Sequence, residues 1–486
     1  MTVAVDRHLP AVHLRPPRHW VNDPNGLVFH DGWYHVFFQY NPDSARHANM
    51  HWGHVRSRDL VSWEQLPVAL APTPAGDDAD GVWSGNAVST DEGMVAFYSA
   101  KRDDRWWQPV AAATSVDGVT FSKRPGLLIE EPPPETVMFR DPYVWRDGGR
   151  WRMLVGAALA DGRGAAMQYF SEDLCRWELG GPFLAEPPTP LPGGGDTEEG
   201  WECVQYADFG VQRGALVLSA WDPEEGAGQT AVYVGRDRGD AFEATAPQRF
   251  DHGPDFYAPA LLHAPDGRWL VWGWVWEARD EPRVGAVSSW TDEVGWAGML
   301  SLPRELTLTS TGVAQRPARE VDALRGEMVV EASGTAAGTV VLGEVPRCLD
   351  VVGRLAWAGS GRATSGWRLV TSADGREHLD IVLDGTTGEL VVSRESASLD
   401  LRAKRGEWRL ATGIGPGESV EVRAVLDHSV VEVFLATGEA VTARFYPVGA
   451  GPWRLEVTTS GTGQAAYAVE AWELVPCADP VEEPRG

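Results

Sequence analysis

Apolar residues in this chain come in short runs, and the spacing between runs is short and regular. Segments 27–29, 33–38, 151–155, 215–219 and 269–274 read as strands. Between such runs lie His30-Asp31-Gly32, Asp117-Gly118, Asp147-Gly148-Gly149 and Pro265-Asp266-Gly267, which are turn formers. Strands at this pace, divided by Asp-Gly turns, predict an all-β chain. Amphipathic helices of useful length are almost lacking from the pattern.

A longer period overlies the short one. Polar motifs stand at Trp20 to Gly26, Val82-Trp83-Ser84-Gly85, Phe139-Arg140-Asp141-Pro142, Trp201-Glu202-Cys203 and Asp255-Phe256-Tyr257. Their markers Asp23, Trp83, Asp141, Glu202 and Asp255 recur every 53–61 residues, slightly more than the ~40–50 of common propeller repeats. One marker per four-stranded blade gives a five-bladed β-propeller. Innermost strands of a propeller face one axis, so motifs far apart in sequence converge on one funnel. The propeller is expected over residues 1–306, ending near Leu302-Pro303-Arg304-Glu305-Leu306. A connector over 307–324 then leads to a β-sandwich over 325–477 and a tail over 478–486. In the sandwich region, segments 327–341, 379–383, 420–426 and 430–435 alternate apolar and polar. Motifs of the first kind stop there, which assigns the chemistry to the propeller. The loop 186–200, with three prolines in its first five residues and a Gly193-Gly194-Gly195 run, reads as an exposed rim before Glu202.

Composition narrows the partners. The formal net charge of −27 argues against nucleic acid or an anionic membrane, which such a surface repels. The 23 tryptophans mostly suit cores; the remainder suit a carbohydrate site, because indole rings accept the weakly apolar C–H faces of sugars. Cys175, Cys203, Cys348 and Cys477 lie far apart with no CxxC spacing, which speaks against a zinc site or a disulfide framework and for a reducing, cytoplasmic setting. Met1 to Trp20 lacks the apolar stretch of a signal peptide.

Glycoside hydrolysis generally needs two carboxyl groups flanking the scissile bond. Asp23, in Asn22-Asp23-Pro24-Asn25-Gly26, is the candidate for the ionised group; the same pentapeptide also suits a plain Asx-turn. Glu202 is the candidate acid, since Trp201 and Cys203 suggest an apolar setting that raises a carboxyl pKa. A strand-edge glutamate in solvent is the simpler alternative. Asp141 follows Arg140, which would keep it ionised if both point inward, or else form a surface pair worth little.

These motifs resemble glycoside hydrolase family 32, the family of invertases, sucrose-6-phosphate hydrolases, levanases and inulinases. The resemblance extends through Phe38-Gln39-Tyr40-Asn41-Pro42, His51-Trp52-Gly53-His54, Leu302-Pro303-Arg304-Glu305-Leu306 and, in the second domain, Asp427-His428-Ser429-Val430-Val431-Glu432-Val433-Phe434. It covers nearly the whole chain in order. It implies a five-bladed propeller with a β-sandwich, and retaining cleavage of terminal β-D-fructofuranosyl units through a fructosyl-enzyme. By motif position it implies Asp23 as nucleophile, Glu202 as acid/base and Asp141 as transition-state stabiliser. Asn22, Gln39, Trp52, Trp83, Ser84, Arg140, Asp255 and Tyr257 would bind sugar. No metal and no cofactor are implied, and the partner is a small carbohydrate: sucrose, sucrose-6-phosphate or short fructo-oligosaccharides. A fructosyltransferase would use the same residues. The chain departs from the family pattern at Val204-Gln205, where proline and aspartate are common, and at Ala260, where glutamine is. Lys101, Arg102 and Arg105, beside Trp106-Trp107, are the cations a phosphate would seek.

Overall fold

The computed structural model describes residues 6–280, 289–310, 312–356, 364–460 and 464–476; Cys477 and the expected tail lie outside them. The first domain is a five-bladed β-propeller. Blade one is built from His19–His30, Trp33–Asn41, His51–Ser57 and Trp63–Leu70. Blade two runs from Gly81–Thr90 to Ser122–Lys123, and blade three from Thr136–Asp147 to Glu178–Glu186. Blade four opens with Gly200–Asp208 and blade five with Phe256–His263. Strands within each blade pair antiparallel in sequence order, and a single pairing, Ala158 with Gly200, joins blades three and four.

The fifth blade extends beyond the boundary expected at 306. Arg304–Leu308 pairs with Val313–Pro317 as its outermost strand, so residues expected in a connector belong to the propeller. A short 3-10 helix, Arg319–Leu324, then leads into the sandwich. The ring closes where Trp296–Ala297 runs parallel to His19 and Trp20.

The second domain is two six-stranded antiparallel sheets, from Arg325–Ala336 to Ala465–Leu474. Outer strands of the sandwich bury one face: His378–Asp384 alternates, with Leu379, Ile381 and Leu383 inward, whereas Val430–Leu435 and Ala440–Arg444, packed against the propeller, are buried on both. Middle propeller strands such as Arg150–Leu159 are buried on both faces between neighbouring blades, and their sequence is accordingly a continuous apolar run. Among the described residues no helix is long and apolar enough to cross a membrane.

The domains meet on buried charges. Residues 6–13 lie as a strap across the boundary. Asp427 accepts the backbone N–H groups of Ala11, Val12 and His13 at 2.8–3.0 Å. The His13 ring bridges Asp427 and Glu432, 2.9 Å from each. Glu432 also takes the guanidinium of Arg304, which reaches on to Asp251 at 2.8 Å. Cys348, Asp427 and His428 group their ligand-type atoms, but the Asp427 oxygens are occupied by these N–H groups and by the Cys348 thiol, a set that suits a latch better than a metal ion.

Candidate active site

Each innermost strand carries a β-bulge at its motif. Pairing slips between Val21 and Pro24, Trp83 and Gly85, Arg140 and Tyr143, Glu202 and Gln205, and Tyr257 and Ala260. A bulge inserts an unpaired residue and re-aims its neighbours, so successive side chains that would alternate across the sheet can both turn to the axis. Asp141, Cys203 and Ala258 sit at the bulges with φ of 66°, 47° and 48°, a conformation costing on the order of 1–3 kcal/mol for a non-glycine residue. Each such amide has a partner: Asp141 N–H donates to Ser99 Oγ at 2.8 Å, Cys203 N–H to Asp141 Oδ2 at 3.0 Å and Ala258 N–H to Ser219 Oγ at 3.0 Å. At the second bulge the backbones approach so closely that a Cβ on Gly85 would lie 2.0 Å from the Phe97 carbonyl oxygen.

Three carboxylates from three blades result. Asp23 Oδ2 accepts from Ser84 Oγ at 2.6 Å, and its Oδ1 from Asn22 Nδ2 at 3.1 Å. Asn22 is itself held by the Trp20 indole N–H at 2.7 Å. The Cys203 thiol lies 3.6 Å from both Asp23 Oδ2 and Asp141 Oδ2. Glu202 is clasped on two sides: Oε1 takes Arg140 Nε and Nη2, each at 2.7 Å, and Oε2 takes the Tyr257 hydroxyl at 2.7 Å. Burial, with the Glu202 charge adding to it, pushes Asp23 up to about 6 against the pull of Ser84 and Asn22. Burial and Glu202 push Asp141 up to about 7, with Arg140 opposing. Trp83 and Trp20, both half-buried, each meet the exposed His47 ring edge-on, with centroids 5.8 and 5.9 Å apart.

Several expectations change. The Glu202 carboxyl does not sit in an apolar setting. Neighbouring strand residues point to opposite faces, so Trp201 is fully buried in the blade core with its N–H on the Thr197 carbonyl, while the Glu202 carboxyl meets a cation and a phenol. Arg140 points inward, but it grips Glu202 rather than Asp141. Gln39 and Trp52 are buried behind the site and donate to the carbonyls of Val82 and Trp83 at 3.0 Å; they shape the wall from behind. Asp255 turns away altogether, to Arg394 and the Arg444 N–H of the sandwich. Gln205 faces the next blade, where its Oε1 accepts from Leu261 N–H at 2.7 Å. Lys101, Arg102 and Arg105 pair with Asp103, Asp104 and Asp77 at 3.0, 2.7 and 3.6 Å. The bridging role of Cys203 was not legible in the sequence, although the residue stood inside a motif, because a thiol between two carboxylates is visible only once three blades are brought together.

The same architecture is found in known proteins. The glycosyl hydrolases family 32 N-terminal domain matches residues 13–317, and the family 32 C-terminal domain matches residues 320–473, the two meeting where the fifth blade ends. A sucrose-6-phosphate hydrolase of Escherichia coli is 32% identical over 458 residues, 90% of this chain and 89% of its own. A raffinose invertase of Escherichia coli is also 32% identical, with the same shares covered. Among solved structures, a Bombyx mori GH32 β-fructofuranosidase in complex with sucrose is similar with a TM-score of 0.77 at 25% identity, over 97% of this chain and 94% of that one. The chain belongs to glycosyl hydrolase family 32.

Proposed function

We propose that the three axial carboxylates hydrolyse terminal β-D-fructofuranosides with retention of configuration. The enzyme is a β-fructofuranosidase. Asp23, raised to about 6 by burial, is mostly ionised at pH 7 and attacks the anomeric carbon. The glycosidic C–O bond breaks as a proton passes from Glu202 to the departing oxygen. A fructosyl ester on Asp23 results. Glu202, now a carboxylate, takes a proton from water as that water attacks the same carbon; the ester bond breaks and Asp23 is restored. Asp141 accepts hydrogen bonds from fructose hydroxyls, which strengthen as positive charge builds on the ring.

One observation carries this assignment. Cys203 spans Asp23 and Asp141 on one side of the funnel, while Glu202, its neighbour in sequence, is presented separately by Arg140 and Tyr257. Substrates are sucrose, sucrose-6-phosphate or short fructo-oligosaccharides; the relatives are named for sucrose-6-phosphate and raffinose, and a structural neighbour is solved with sucrose. The free thiols of Cys175, Cys203 and Cys348 suit the cytoplasm.

Asp23→Asn and Glu202→Gln, assayed on sucrose and on a nitrophenyl fructoside with and without azide, test the roles. Both should lose several powers of ten on sucrose. Glu202→Gln should still release nitrophenol in a burst and be rescued by azide, which needs no base. Asp23→Asn should show neither. The reverse pattern would exchange the two roles.

A further inference from the structure

Asp255 immediately precedes the innermost strand of blade five, two residues before Tyr257, yet it is 1% exposed and its carboxylate faces the sandwich. Its Oδ2 accepts from the Arg394 guanidinium and, at 2.7 Å, from the Arg444 backbone N–H. Arg394 follows the sandwich strand Glu389–Ser393 and lies over Trp408, 4.7 Å from its centroid. Its Nη1 also donates to the Arg444 carbonyl at 2.7 Å. The Arg444 guanidinium goes elsewhere, to Ser429 Oγ and toward Glu277. Arg394 is therefore the cation that neutralises Asp255.

From Asp255 a continuous set of contacts runs to the acid/base. The Asp255 carbonyl accepts from Trp276 N–H at 3.1 Å, and the Pro254 carbonyl from the Trp276 indole N–H at 2.7 Å. Both ends of Trp276 are thus fixed on the same two residues. Its ring stacks on Tyr257 with centroids 5.3 Å apart and planes 10° apart. The Tyr257 hydroxyl lies 2.7 Å from Glu202 Oε2 and 2.8 Å from the Ala220 carbonyl, and its single proton serves the two in turn.

We propose that Arg394, in the sandwich domain, is a positioning residue for the acid/base Glu202, acting through Asp255, Trp276 and the Tyr257 hydroxyl. The proposal rests on the role given to Glu202 above. The terminal torsion of a glutamate is soft and roughly two-fold, so the Arg140 grip on Oε1 alone leaves the carboxyl free to turn about that contact. The Tyr257 grip on Oε2 removes this freedom. Deleting the Arg394 cation leaves a buried, uncompensated carboxylate, which must shift toward another partner and carry the start of the strand and Trp276 with it. Displacements well under 1 Å degrade a catalytic group. Asp23 is held by Ser84 and Asn22 on other blades and is unaffected. The sandwich thereby becomes part of the proton-delivery machinery, and its loss is felt in the two proton transfers made by Glu202, not in the attack by Asp23.

The test compares leaving groups in the full-length enzyme. Arg394→Met, Arg394→Lys, Tyr257→Phe and Glu202→Gln are assayed on sucrose, which needs protonation, and for the nitrophenol burst on a nitrophenyl fructoside, which does not. For Arg394→Met, kcat on sucrose should fall about tenfold or more with KM little changed, within the range of a general acid's contribution, while the burst rate stays within about threefold. Arg394→Lys, which keeps the charge, should recover most of the sucrose rate. Combining Arg394→Met with Tyr257→Phe should cost no more than the worse single change. Should Arg394→Met not fold, Arg394→Lys carries the comparison, with a smaller but still sucrose-selective loss. An equal fall on both substrates, or an unchanged sucrose rate, overturns the proposal while Glu202→Gln remains selective. If Glu202→Gln is itself unselective, the acid/base reading fails and the proposal falls with it.

Discussion

His13→Ala removes a side chain that ties two buried carboxylates of the sandwich to the strap of residues 6–13. His13 is fully buried between Asp427 and Glu432. Burial lowers its pKa, but the hydrogen bonds and charges of those two residues overcome this and raise it to about 9. Arg304 and Asp251 lie beyond Glu432, and the Cys348 thiol beyond Asp427. A histidine raised in the folded state contributes stability that is complete below its unfolded value near 6.5 and disappears as pH rises through the folded value. The span to about 9 corresponds to about 3 kcal/mol. Truncation at pH 6 should cost on the order of 3–5 kcal/mol, as for one partner of a buried ion pair. At pH 10 the wild type has lost its imidazolium too, and the gap should shrink by about 3 kcal/mol. Urea midpoints followed by tryptophan fluorescence and by circular dichroism at both pH values measure this, two probes being needed because two domains can unfold separately. An equal loss at pH 6 and pH 10, or a loss under about 1 kcal/mol at pH 6, would refute the reasoning.

Two smaller changes probe the bulges. Ser84→Ala deletes a 2.6 Å hydrogen bond that favours the ionised form of Asp23; the acid limb of kcat/KM, expected near pH 6 from Asp23 ionisation, should move up by about one pH unit, and a limb that stays in place or moves down contradicts the assignment. Gly85→Ala places a Cβ against the Phe97 carbonyl; it should destabilise the protein by several kcal/mol and lower activity through Ser84, and a variant with an unchanged melting temperature would show that the close approach is not required.

The all-β character, five blades and three carboxylates were legible because each rests on local signals: turn dipeptides, apolar runs and one polar motif per blade. What was not legible depends on partners far away in sequence. The bulges that turn Asp141 and Cys203 inward are defined by register against a neighbouring strand, and a one-residue slip is invisible in one strand alone. The Glu202 environment was misjudged from Trp201 and Cys203, since its real neighbours are Arg140 and Tyr257, from other blades. Asp255 looked like a sugar ligand by motif, but its pairing with Arg394 crosses between domains. The fifth blade ran past the expected end because Val313–Pro317 is a short edge strand of modest apolar content.

The division of labour between Asp23 and Glu202 is tested most directly by finding where the sugar is held. Glu202→Gln, mixed with a nitrophenyl fructoside and quenched in acid during the burst, should carry one fructosyl unit, and peptide mass spectrometry should locate it on Asp23. Azide added before the quench should remove the label and yield a fructosyl azide of retained configuration. A label on Asp141, or no label together with a product of inverted configuration, would contradict the mechanism.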